Sequence, residues 1–154
     1  MNTAQRMEAM YAIAQMARGE GVDIEFKIAS AGVHDDVFET VCSFASGKGG
    51  DIFLGVNDHG QIVGLPQETL IAIKHDVRRA CSSNGLFTTA VPVGVQELVV
   101  NRHHIVHIKI PRMHHGVAYK GKCYIRLGDA DYLCRGQRDC CHECMGHSDQ
   151  SPIG

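Results

Sequence analysis

Residues 51–64 constrain the fold more than any other stretch of the chain. From Asp51 the run Ile-Phe-Leu-Gly-Val ends at Val56 and reads as a buried strand. Asn57-Asp58-His59-Gly60 follows, a turn of residues that tolerate positive φ, and a return strand runs from Gln61 to Gly64. This hairpin commits the chain to a sheet, and the other elements must be placed around it.

Before it, Thr3 caps a helix expected to run to about Arg18, with Met7, Met10, Tyr11, Ala14 and Ala17 as its apolar stripe and Gly19 and Gly21 as its stop. Val22, Ile24, Phe26 and Ile28 then alternate with Asp23, Glu25 and Lys27, the period of a half-buried strand with its three charges on one face. A second helix is predicted over about 35–45, on the stripe Val37, Val41, Phe44 and Ala45. The Gly47-Lys48-Gly49-Gly50 stretch that ends it lacks the spacing and the Lys-Ser/Thr of a phosphate loop, and reads as a helix stop and tight strand entry.

After the hairpin, Pro66 starts a third helix reaching about Cys81, followed by strands near 93–100, 105–110 and 123–127. The order helix, strand, helix, hairpin, helix, hairpin, strand is α+β, with a mixed, mostly antiparallel sheet and about three helices. The apolar pattern stops after Leu133, which divides a domain over 1–133 from a Cys/His-rich tail over 134–154.

A chain of 154 residues is one ordinary domain. Its net charge of −2 is the sum of unlike halves: residues 1–73 hold 4 Lys/Arg against 10 Asp/Glu, and residues 74–154 hold 11 against 7. Eight of the 10 histidines also fall in the second half. This asymmetry is compatible with a basic, nucleic-acid-binding surface beside a carboxylate cluster. Neither a spanning apolar run nor a secretory signal is present, so the expectation is a soluble, cytoplasmic protein without a membrane partner. An odd number of cysteines, 7, argues against a disulfide framework. Cys42, Cys81 and Cys123 read as small core residues. Cys134, Cys140, Cys141 and Cys144, with His147, supply enough soft ligands for a tetrahedral Zn²⁺ site, although only one CxxC pair is present; an oxidisable tail is the alternative.

Several ordered strings carry a family resemblance: Glu25-Phe26-Lys27; Cys42-Ser43-Phe44-Ala45-Ser46 running into Gly49-Gly50; Ile52-Phe53-Leu54-Gly55-Val56-Asn57-Asp58 with Gly60, Ile62 and Gly64; and Tyr124-Ile125-Arg126-Leu127-Gly128. Over about residues 18–133 the chain resembles the Schlafen AlbA-like domain, a family of DNA-binding character often fused to transcriptional regulators and helicase-like proteins. The chain departs from the family at polar loop positions, with Ser43-Phe44-Ala45-Ser46-Gly47 where Ala-Phe-Ala-Asn-Thr is usual and His115-Gly116 where a Lys-Pro pair is common.

The resemblance implies a nucleic-acid-binding domain. Cations placed along a groove give salt-dependent, largely sequence-independent affinity for phosphates, and the candidates are Lys74, Arg78, Arg79, Arg102, Arg112, Lys120, Lys122 and Arg126, with Tyr119 and Tyr124 as the few aromatics that could stack on bases. It also implies an alternative, a metal-dependent endoribonuclease acting on tRNA or rRNA. Glu20, Glu25 and Asp58 would hold Mg²⁺ or Mn²⁺, and Lys27 would neutralise charge building on the phosphate. The plainer reading makes Glu25 an ion-pair partner and Asp58 a turn residue. A third alternative is a protein-interaction module of a transcriptional regulator, docking through its tail or as a homodimer.

Overall fold

The computed structural model describes residues 2–135. The elements run α1 (Thr3–Arg18), β1 (Ile24–Lys27), α2 (Asp35–Ser46), β2 (Gly50–Leu54), α3 (Gln67–Cys81), β3 (Gly94–Val100), β4 (His103–Ile110), β5 (Tyr124–Leu127) and β6 (Ala130–Leu133). The first four strands form one sheet in the order β1-β2-β4-β3; β5 and β6 form a separate hairpin. The architecture is α+β, as the element order predicts. Only β1 and β2 are parallel, with α2 as the crossover that a parallel pair requires; β2–β4 and β3–β4 are antiparallel.

The two-residue alternation of the strands separates two cores. Ile52, Leu54, Val106 and Ile108 face α2 and α3, where they meet Val41, Phe44, Leu70, Ile73 and Val77. Ile24, Phe26, Phe53, Leu98 and Ile105 face the opposite way and pack on Ala12 and Met16 of α1. The β5–β6 hairpin lies against α2, with Tyr124 joining the first core.

Local chemistry accounts for the differences from expectation. Asn2, not Thr3, caps α1: its side chain accepts the Gln5 N–H at 2.8 Å while Gln5 Oε1 accepts the Asn2 N–H at 2.8 Å, a reciprocal box that Thr3 is out of register to make. The expected α1 stripe is also rotated. Met7 and Met10 are 65% and 68% exposed, and the inward face is Ala12 and Met16, flanked by the polar Tyr11 and Gln15.

The expected 51–64 hairpin shrinks to a single Val56–Ile62 bridge, because Gly55 at φ 96° turns the chain out of the strand and its carbonyl then accepts the N–H groups of Val63 and Gly64. Asn57 Oδ1 closes the turn, accepting the N–H groups of His59 and Gln61. β6, absent from the sequence reading, pairs with β5.

The glycine stretch does what its spacing suggests. Gly47 ends α2, its N–H bonding the Phe44 carbonyl. Gly49 sits at φ 77°, and a Cβ there would lie 2.7 Å from the Ile110 carbonyl oxygen. Cys42 and Cys81 are buried and burial pushes both thiols up to about 12, whereas Cys123 is half-buried. Cys140, Cys141, Cys144 and His147 lie outside the described residues. Among the described residues, no helix is long and apolar enough to cross a membrane.

Candidate functional site

Two polar centres lie on opposite faces of the sheet. β1 presents Glu25 and Lys27 to the α2 side. Glu25 is 7% exposed, and its Oε1 accepts from Arg126 Nη2 at 2.9 Å while Lys27 Nζ lies 3.7 Å from Oε2. Lys27 also reaches Asp36 at 2.9 Å.

Arg126, delivered by β5, has a side chain only 3% exposed. Its guanidinium donates to Glu25, to Asp131 at 3.0 Å and to the carbonyls of Gly21 and Ile24, and it lies 4.9 Å over the Phe44 ring. Asp131 in turn accepts the hydroxyls of Thr40 and Ser43. A planar cation with several donors suits this junction, since each buried carboxylate needs a partner.

Glu20 precedes β1 and turns back to it, Oε2 accepting the Phe26 N–H at 3.0 Å. Burial raises the Glu25 carboxyl to about 7 against the pull of Arg126 and Lys27, with the nearby Glu20 charge adding to the rise. Lys27 is raised, because the carboxylates of Asp36 and Glu25 outweigh its own burial.

Glu20, Glu25 and Lys27 are therefore brought together. Asp58 sits in the 57–60 turn, and among the described residues no three or more His, Cys, Asp or Glu side chains form a group able to hold a metal ion. The two glutamates also have partners already, a backbone N–H for one and two cations for the other. The donor set as placed does not fit Mg²⁺ or Mn²⁺, whose sites use free carboxylate oxygens.

The predicted phosphate contacts divide. Arg78, Arg79, Arg112 and Lys122 are exposed. Arg78 Nη2 donates to the Val95 carbonyl, which anchors the last turn of α3 at the start of β3, and Gly94 pairs with Lys109 near the end of β4. Arg112 follows that end of β4, so Arg78 and Arg112 lie at one end of the sheet, with Arg79 next to Arg78 on α3 and Lys109 turned to the α1 face. The segment carrying Lys120 and Lys122 runs along α2, from Met113, whose N–H bonds the Ala45 carbonyl in the last turn, to Lys120, which reaches Asp35 in the first.

Lys120 pairs with Asp35 at 3.0 Å and remains half exposed, while Lys74 is held by Glu97 at 3.0 Å. Arg102 occupies the β3–β4 turn, the far end of a seven-residue strand, roughly 20 Å away at the rise of an extended chain. Arg126 is not on this surface, because its side chain is buried in the carboxylate network. Tyr119 and Tyr124, at 4% and 9% exposed, are core residues and offer no stacking face.

The second centre was not anticipated. On the α1 side Asp51 and His107, 4% and 6% exposed, share a hydrogen bond of 2.6 Å between Oδ1 and Nε2. Asp51 Oδ2 accepts from Tyr11 Oη at 2.9 Å and from Gln15 at 3.2 Å. Burial disfavours the Asp51 charge, yet the His107 and Tyr11 hydrogen bonds prevail and hold its carboxyl below the usual range. The same carboxylate, together with burial, raises the Tyr11 phenol, so it stays a donor. His107 stacks on Phe53 with centroids 4.7 Å apart. The only sequence signal was Tyr11 and Gln15 at helical spacing on the inner face of α1, and a search for apolar stripes passes over it.

No curated protein matches the chain. Among solved structures, it is similar to the N-terminal domain of a RecG-related protein from Nitrosomonas europaea, whose name relates it to an ATP-dependent DNA helicase; the identity is 26%, the TM-score 0.57, and the match covers 87% of this chain and 97% of that one. It is also similar in fold to the DIP2311 protein from Corynebacterium diphtheriae, at 14% identity and TM-score 0.54 over 84% of this chain and 30% of that one. The family model described as Schlafen, AlbA_2 matches residues 20–135, three quarters of the sequence and all the strands of the fold, and the chain belongs to that family.

Proposed function

We propose that this domain binds nucleic acid through phosphate contacts made by Arg78, Arg79, Arg112 and Lys122, with Lys120 at the margin. The observation that supports this is the exposure of these cations, with Arg78 anchored at the end of the sheet that Arg112 follows and Lys120 and Lys122 carried on the adjoining 111–122 segment. The family, and a structural neighbour named for its relation to a DNA helicase, point the same way. Affinity of this kind comes from counterion release and is largely independent of sequence. The burial of Tyr119 and Tyr124 removes those two as stacking residues at this surface. Cleavage is not part of the proposal, since Glu20, Glu25 and Asp58 are not gathered as a ligand set.

The test is fluorescence anisotropy with a labelled DNA duplex and a labelled tRNA across a salt series. The logarithm of affinity should fall linearly with the logarithm of salt, and the double variant R79E/R112E should lower the slope by about two, one for each lost phosphate contact. R102A should change binding far less. Negligible binding at low salt, or an R79E/R112E slope equal to that of the unsubstituted chain, would reject the surface.

A further inference from the structure

A cavity of about 460 Å³ opens between the first half of α1 and the sheet face that carries His107. That volume lies in the range of small-molecule sites. Met7 and Tyr11 supply apolar and aromatic wall. Glu8 and Gln96, hydrogen-bonded to each other, stand at the exposed edge with a carboxylate and a carboxamide. His107 is more than nine-tenths buried and lines the cavity; Asp51 fixes its Nε2, and among the described residues Nδ1 has no hydrogen-bond partner. Buried polar atoms without partners are rare, which marks this one as a ligand contact. Lys109 lies at the rim, 66% exposed, with Nζ 5.2 Å above the Tyr11 ring and 3.9 Å from Asp51.

We infer that this cavity takes a single nucleotide, its base inside and its phosphate on Lys109. The three parts of the site match the three parts of such a ligand. A flat, weakly polar ring suits the Met7–Tyr11 wall. The Glu8 carboxylate can only accept hydrogen bonds, so it favours bases with an exocyclic amino group over uracil. The Lys109 ammonium lies where the phosphate leaves the cavity. Asp51 is already satisfied by His107, Tyr11 and Gln15, so its part is to position His107 and Tyr11.

The nucleotide could be free or an unstacked unit of a single strand. The second source rests on the nucleic-acid reading above, with the cavity opening on the α1 face while Lys109 continues the cationic end of the sheet.

The experiment is a ¹H–¹⁵N NMR titration of the whole chain with AMP, CMP, GMP and UMP, and separately with a single-stranded oligonucleotide. The amino-bearing mononucleotides should shift the amides of Tyr11, Gln96 and His107, with UMP at least several-fold weaker. K109E should abolish these shifts, and the rim variant M7W, which fills the cavity from an exposed position, should do the same without touching the buried pair. R79E/R112E should leave mononucleotide shifts intact. Shifts with the oligonucleotide at the same amides assign the strand as the source; shifts with mononucleotides alone assign a free nucleotide. If the oligonucleotide binds with salt dependence but no ligand moves the cavity amides, the nucleotide site is overturned while the phosphate surface stands. Equal response to UMP would overturn the role given to Glu8.

Discussion

Replacing Glu25 by Gln should stabilise the protein at alkaline pH and leave it unchanged at acid pH. Glu25 is buried beside the charge of Glu20, and its carboxyl is raised from the ordinary 4.5 to about 7. A carboxyl whose folded pKa lies above its unfolded value binds its proton more tightly when folded. Its favourable contribution is therefore complete below about 4.5 and is lost as pH rises through about 7. At 1.36 kcal/mol per pH unit the difference amounts to on the order of 3 kcal/mol. Gln mimics the protonated acid in shape and lacks the titration.

Urea unfolding of both proteins at a series of pH values from 4 to about 8.5 isolates the effect, because all other titrating groups cancel in the difference. The variant should match the unsubstituted chain near pH 4 and exceed it by on the order of 3 kcal/mol above pH 8. The competing expectation is that breaking a buried ion pair costs about 3–5 kcal/mol by stranding the cation. It fails here if Asp131 and the Gly21 and Ile24 carbonyls suffice to hold Arg126. A variant destabilised at every pH, or a difference that does not change with pH, would refute the reasoning.

Other consequences are as concrete. Arg126→Met should destabilise by about 3–5 kcal/mol at neutral pH, measured by urea unfolding, because it strands Asp131 and Glu25. The double variant R126M/E25Q should recover part of that loss, and additivity would argue against their coupling. Asp51→Asn should cost roughly 2–4 kcal/mol, since the amide cannot accept from His107, Tyr11 and Gln15 as the carboxylate does. Because the Asp51 pKa is held low, its contribution is present above the ordinary carboxylate range and is lost as pH falls through the folded value, so the D51N penalty should shrink in acid. Gly49→Ala should lower stability by about 1–3 kcal/mol, through the left-handed φ and the Cβ placed 2.7 Å from the Ile110 carbonyl; an unchanged thermal midpoint would show that this turn relaxes freely.

Periodicity made the helices and most strands legible. α2 and α3 bury apolar stripes at helical spacing, and β3 and β4 follow runs of β-branched residues. The stripe of α1 is out of phase with the expectation because the helix meets the sheet through Ala12 and Met16 flanked by the polar Tyr11 and Gln15, while Met7 and Met10 face solvent. Hydropathy cannot register a tyrosine and a glutamine whose worth lies in satisfying one buried aspartate.

The site was legible to the same extent. Glu25 and Lys27 share a face, as strand alternation requires, and Glu20 returns to them through a loop. Asp58 does not complete a metal-holding group with the two glutamates, because sequence spacing cannot say which way a turn at the end of a strand is aimed. Arg126 illustrates the same limit: its charge suggested a surface, and only the packing of β5 on α2 reveals a buried hub.

Glu20 and Arg126 have one further consequence, which concerns assembly. β1 is one of the two edge strands of the sheet, and its Asp23 and Lys27 carbonyls bond inward to the β2 side. On its outer margin Glu20 accepts the Phe26 N–H, and Arg126 with the Gly21 N–H donates to the Ile24 carbonyl. A strand margin partly capped in this way offers a poorer template to another chain. The residues that resemble chemistry on paper thus also act as a lock on the sheet's open side. Loosening that lock should turn a self-contained domain into one that recruits strands from its neighbours.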